Sequence, residues 1–274
     1  MFELERFSFI AAIAAFALFI IFEILRMIMR RRARKAGGVW EKDTLGTVFA
    51  VSGLIFTTIS IIARAIITGH GPFSNMYEFS LSFSWGVVAA AIYFDWRFKL
   101  ATIRNWAILA AFILLLFAST LPSRPVPLVP ALQQSFLLSA HVAAAIVAYG
   151  TFTIGFVSAA LYLVMSHRKK SDKSQLELID RISYQSVVIG FPFMTLLIIL
   201  GALWAHIAWG RYWGWDPKET ASLVTWLLYA GYLHARLVPR WRGTRAAILL
   251  VIGFGAVLFT FFGNYIFSGL HSYI

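Results

Sequence analysis

The chain has 274 residues, of which 60% are hydrophobic and 13% charged, and its mean hydropathy is +0.76. A soluble domain of this size cannot bury so much apolar surface, so its solvent is a bilayer, and a soluble enzyme or a nucleic-acid-binding module is excluded. The absence of cysteine excludes thiol chemistry by the chain itself and any disulfide.

Apolar runs lie near 7–29, 45–69, 77–96, 103–120, 136–166, 184–207, 219–238 and 246–269. Each approaches or exceeds the roughly 20 residues that cross a bilayer as helix. The runs are continuous rather than alternating, which predicts helices and not a barrel. The expected fold is therefore all-α: a polytopic integral membrane helical bundle of about eight transmembrane helices, with residues 1–274 forming one domain. The first run is longer than the core of a signal peptide, and its positive flank follows it, so it is expected to be a retained anchor.

Basic residues alternate between the connections. Arg26 to Lys42, Arg97 to Arg104, Arg168 to Arg181 and Arg236 to Arg245 hold all but five of the 24 lysines and arginines. The other connections keep Arg6, Arg64, Arg124, Arg211 and Lys218. That bias predicts both termini outside. The net charge of +12 is then a topology signal with some attraction to anionic lipid, not a nucleic-acid footprint. Loop 121–135, with Pro122, Pro125, Pro127 and Pro130, is expected outside, and the weakly amphipathic 173–183 along the inner surface.

Between the sixth and seventh runs lies Trp209-Gly-Arg-Tyr-Trp-Gly-Trp-Asp-Pro-Lys-Glu-Thr220. This outer loop, 208–219, is too aromatic for an ordinary solvent loop and too polar at its end to cross the membrane. It reads as an aromatic platform for a flat ligand. Helical rise of about 1.5 Å per residue gives each histidine a depth. His141 is expected roughly 7–8 Å below the outer edge, and His70, His206 and His271 at the outer surface. His234, 17 residues past Pro217, falls about 26 Å deeper, near the inner face. Ionisable side chains at such depths point to function, and imidazole is a common axial ligand of haem iron. Haem is flat and apolar with two carboxylates at one edge, so a tryptophan shelf, two imidazoles and outer cations suit it. Zinc is the weaker reading, because neither carboxylate nor cysteine joins the histidines at ligand spacing.

The segment Trp209-Gly-x-x-Trp-Gly-Trp-Asp-Pro-Lys-Glu219 resembles the tryptophan-rich WWD signature of the haem-handling proteins of cytochrome c maturation. More narrowly, it resembles the CcsA (ResC-like) component of the System II cytochrome c synthase. Ser139-Ala-His141-Val, Tyr232-Leu-His234-Ala-Arg236, Ser268-Gly-Leu-His271-Ser-Tyr273 and His70-Gly-Pro-x-Ser-Asn-Met-Tyr-Glu78 are similar to that family's segments in its order. The related CcmC-type proteins share the tryptophans but usually have fewer helices and lack the Asp-Pro-Lys-Glu continuation.

The resemblance implies that His141 and His271 hold haem b against Trp209, Trp213 and Trp215, beside Asp216 and Arg211. It implies that His234 serves haem on its way from the inner side. It also implies a haem lyase component, acting with a separate CcsB/ResB-like membrane partner on apocytochrome c, with the loop facing outward from a bacterial inner membrane, a thylakoid membrane being the less favoured setting. The partner is expected to supply the second intramembrane histidine. Competing functions are a haem exporter or chaperone without ligation, and a haem-b electron carrier, which would need two histidine pairs at different depths.

Plainer roles stand beside these. Trp204 and Trp241 fit an interfacial aromatic belt. Asp216 fits an N-cap with Pro217 in the first helical position and Glu219 closing a capping box. His70 and His206 read as interfacial residues, and His167 as part of a solvated basic run. Arg64 is expected to pair with Glu78, with a haem propionate as its alternative, while Arg211 and Lys218 flank the platform within reach of propionates.

Overall fold

The computed structural model describes residues 1–35, 44–71, 74–125, 135–168 and 172–266. They form eight α-helices: α1 (Phe2–Lys35), α2 (Thr44–Thr68), α3 (Met76–Phe98), α4 (Ala101–Ser119), α5 (Ser135–Ser166), α6 (Lys173–Trp209), α7 (Pro217–Leu237) and α8 (Thr244–Ile266). No strand occurs among the described residues. Six helices are both long and apolar enough to cross a membrane. The exceptions, α3 and α7, are long enough but more polar. On α3, Glu78, Ser80, Ser82 and Ser84 are buried among other helices instead of facing lipid. The multi-pass membrane fold expected from composition is therefore present.

One expectation needs correcting. Residues 173–183 do not form a separate surface segment; they are the first turns of α6, a continuous helix of 37 residues. Asp172 caps it by accepting the Ser174 N–H at 3.0 Å. The amphipathic pattern has a local cause: Ile179, Ile182 and Ser183 are buried while Lys173, Glu177 and Arg181 are exposed.

The helices fall into two compact units. In the first, α1 to α4 pack on small residues. Gly46, Ala50, Gly53, Thr57, Ser60 and Arg64 form one stripe on α2, and the ring of Phe16 lies directly on Gly53. Buried ion pairs fasten both ends of this unit. At one end Arg64 Nε donates to Glu78 Oε1 at 2.9 Å, and the Tyr77 hydroxyl donates to Glu5 Oε1 at 2.6 Å. At the other end Arg104 Nη1 donates to Asp95 Oδ2 at 2.9 Å and Asn105 Nδ2 to Glu23 Oε2 at 2.6 Å.

The second unit holds α5 to α8. The antiparallel pair α5 and α6 carries the closest packing, with α7 and α8 completing the core. Phe152 stacks on Tyr229 and Phe156 on Phe254, and the Thr225 and Thr260 hydroxyls meet at 3.1 Å. Trp226 Nε1 donates to Thr195 Oγ1 at 2.9 Å, and Arg236 Nη1 to Asp180 Oδ1 at 2.6 Å.

Candidate functional site: a cleft in the second helical unit

The tryptophan loop starts where α6 stops. Gly210 adopts φ +74 and its N–H donates to the His206 carbonyl at 2.9 Å. That left-handed turn needs glycine and ends the helix sharply. At the other end the predicted capping box is present: Asp216 Oδ1 accepts the Lys218 N–H at 2.8 Å. Glu219 Oε2 accepts the N–H groups of Gly214 at 2.8 Å and Asp216 at 3.2 Å. One carboxylate thus grips the backbone on both sides of Trp215.

The grip has a purpose visible in the backbone. Trp215 has φ +57, a left-handed conformation that costs a side-chain-bearing residue about 1–2 kcal/mol. Charge-assisted hydrogen bonds from Glu219 offset that cost. The result is an indole 70% exposed, standing perpendicular to that of Trp213, with ring centres 5.8 Å apart. Trp209 packs edge-on against Trp204 at 4.8 Å. Trp204 itself is 2% exposed, so it supports the loop from below and does not belong to an interfacial belt. Arg211 is exposed and its guanidinium lies across Gly214, where a Cβ would sit 2.9 Å from it.

His141 stands on α5, half-buried, with Nδ1 2.9 Å from the Leu197 carbonyl oxygen of α6. A carbonyl only accepts, so Nδ1 carries a proton. This is the arrangement by which proteins orient a metal-binding imidazole. Beside it opens a small cleft, lined among others by His141, Tyr149, Tyr212, Trp213, Lys218 and Thr260. Burial pulls the Lys218 amine down to about 8, against the opposing effect of the Asp216 carboxylate. An anion entering the cleft would favour the charged amine.

The other predicted residues sort clearly. Trp213 and Lys218 join His141 at the cleft, whereas Asp216 is buried and serves as the helix cap. His206 is exposed and stacks flat on Tyr212, 4.2 Å between ring centres. His234 is exposed on α7, on the same face as Val224, Leu227 and Gly231, and has no hydrogen-bond partner among the described residues. Twelve residues separate it from Ser222 at the cleft, about 18 Å of helix. His271 lies outside the described residues. His70 belongs to the first unit, where its Nδ1 bonds the Gly71 carbonyl at 2.7 Å, and His167 is exposed with Nδ1 on the Leu163 carbonyl at 2.6 Å. Among the described residues, no three His, Cys, Asp or Glu side chains cluster to hold a metal ion. An iron already held by a macrocycle needs only axial ligands, so single histidines suffice for it.

Sequence reasoning missed Tyr149, Gly201 and Thr260 as cleft residues, while Tyr212 belongs to the aromatic stretch it had singled out. Tyr149 had a signal, since it follows His141 by about two helical turns. Thr260 had none, because its place depends on how α8 packs.

The chain matches the family described as "Cytochrome C assembly protein" over residues 73–271. It is 37% identical over 257 residues to the "Cytochrome c biogenesis protein CcsA" of Guillardia theta, covering 84% of this chain and 85% of that one. The protein of the same name from Chlamydomonas reinhardtii is 39% identical over 238 residues, covering 82% and 67%. That of Prochlorococcus marinus (strain MIT 9312) is 33% identical over 271 residues, covering 86% and 87%. The match takes in the cleft, the tryptophan loop and His234, and the relatives extend it across most of the chain. The chain therefore belongs to the cytochrome c assembly protein family, as a CcsA-like multi-pass membrane protein of cytochrome c maturation.

Proposed function

We propose that the chain carries haem b from the inner side of its membrane to the outer cleft and presents it there for attachment to apocytochrome c. The observation that carries this reading is the His141 imidazole. Its Nδ1 is held by the Leu197 carbonyl, so the nitrogen assigned to iron is Nε2, on a ring that lines the cleft together with Trp213 and Tyr212. His271 supplies the second outer ligand, and the presence of Thr260 in the cleft wall supports drawing that ligand from the chain beyond α8. Arg211 and Lys218 meet the propionates, for which their charge and position suit them. His234 serves the haem at the inner side. Its exposure on α7 supports a site completed by another polypeptide, for which a separate CcsB/ResB-like membrane protein is the partner.

The attachment is redox-neutral. A cysteine thiol of the substrate adds across a haem vinyl group: the S–C bond forms at one carbon, and the thiol proton ends on the other. The chain contributes position and electrostatics, and the reactive groups belong to haem and substrate. The membrane is the bacterial inner membrane, with the tryptophan loop outside.

Purified chain with its partner, given ferrous haem and apocytochrome c, is expected to yield cytochrome with haem that stays bound through denaturing electrophoresis. Transfer of haem without a covalent product would instead identify an exporter or chaperone.

A further inference from the structure

The position of His141 is set by a helix-pair register that has no counterpart in the motifs read from the sequence. α5 and α6 run antiparallel with glycine at three successive contacts. Gly155 of α5 faces Ser186, where a Cβ would lie 2.7 Å from the Ser186 Oγ. Gly190 of α6 faces Thr151 and Phe152, and Gly201 of α6 faces His141. From Gly155 to His141 is 14 residues along α5 toward its start, and from Ser186 to Gly201 is 15 along α6 toward its end, so the two helices advance almost in step. One register therefore runs over the roughly 21 Å of helix between Gly155 and His141. Small residues let the two backbones approach closely all along it.

At the outer end of this register the imidazole fills the space where Gly201 lacks a side chain. A Cβ there would be 2.9 Å from His141 Cε1 and 3.1 Å from Nδ1. Ordinary carbon contacts lie at about 3.5–4.0 Å, so the ring would have to retreat by about half an ångström or more. One helical turn away, the Leu197 carbonyl takes the Nδ1 proton. The two features act on the same ring: the missing Cβ fixes where the plane of the imidazole lies, and the carbonyl fixes its rotation and tautomer.

We propose that Gly201 is a positioning residue for the haem site: it seats the His141 imidazole so that Nε2 faces the cleft at the height of the tryptophan loop. The proposal rests on the reading of His141 as an iron ligand. Ligand sites need supporting groups that hold geometry to about 0.5 Å, and the displacement caused by one methyl group is of that size.

The test compares haem content and absorption spectra of the full-length protein purified with its partner, in wild type, Gly201→Ala, His141→Ala and Gly255→Ala. Gly255 lies on α8 with open space where a Cβ would go, so its alanine variant is the control. Gly201→Ala is expected to lower bound haem about tenfold or shift its spectrum in the manner of His141→Ala, in line with changes to groups that orient metal ligands. Free imidazole should restore the wild-type spectrum in both variants, and Gly255→Ala should match wild type. Wild-type haem and spectrum in Gly201→Ala would overturn the proposal. So would a lower yield with an unchanged spectrum per haem and no response to imidazole, which is how a packing defect alone would read. If His141→Ala itself matches wild type, the ligand reading fails, and the two failures are distinguishable.

Discussion

Replacing His141 by alanine is expected to lower the haem that copurifies with the chain by at least about tenfold, and to change the reduced-minus-oxidised spectrum of what remains. Loss of a group that merely orients a metal ligand costs about 10–100-fold in affinity, and loss of the ligand itself should cost no less. The fold should survive the change. His141 is half-buried at a cleft wall and its hydrogen bond goes to a carbonyl within α6, so its removal opens a gap beside Gly201 at the edge of the cleft and leaves the contacts of α5 and α6 around Gly155 and Gly190 in place. Protein yield and melting temperature should therefore stay near wild type while haem content falls. A spectrum and haem-to-protein ratio equal to wild type would remove His141 from the site.

The second large effect is on stability and lies in the first helical unit. Arg64 and Glu78 are 1% and 0% exposed and paired at 2.9 Å, as expected from the sequence. Taking away one member leaves the other's charge buried without its ion-pair partner, which costs about 3–5 kcal/mol. Arg64→Met is expected to destabilise by that amount in thermal unfolding of the detergent-solubilised protein. Arg64→Met combined with Glu78→Leu should recover most of it, because an apolar pair of similar volume needs no compensation. The pair also takes in neighbours: Arg64 Nη1 donates to the Ser123 carbonyl, and the guanidinium lies 5.3 Å from the Tyr77 ring centre. Equal stability in the single variant and wild type would contradict the account of this end as an electrostatic clasp.

What the sequence disclosed followed the strength of its local signals. All eight helices coincide with apolar runs, because hydrocarbon demands long uninterrupted stretches and leaves little ambiguity. The capping box at Asp216 and Glu219 was equally legible, since it depends on residues three apart. The first turns of α6 were misjudged because their charged face resembles that of a surface helix, whereas packing inside the unit keeps them continuous with the span. Aromatic density marked the loop and depth marked His141, whereas His234, singled out by the same depth argument, lies about 18 Å of helix from the cleft. The partner of His141 was invisible: it is the Leu197 carbonyl, and any residue at 197 would offer one. Gly201 reads in the sequence as one more small residue in an apolar run, and its meaning comes only from the ring opposite. The left-handed backbone of Trp215 was likewise unreadable, because tryptophan gives no hint of a positive φ. The Glu219 carboxylate that holds it there was seen only as a cap.

The central claim is that His141 and His271 coordinate one haem iron at the outer cleft of the second unit. An experimental structure of the chain with its partner and bound haem tests it directly. The account predicts one iron bonded by His141 Nε2 on one face and by His271 on the other, with the porphyrin against Trp213. Bound haem whose iron is held by neither histidine, or by one of them together with a ligand other than its counterpart, would contradict it.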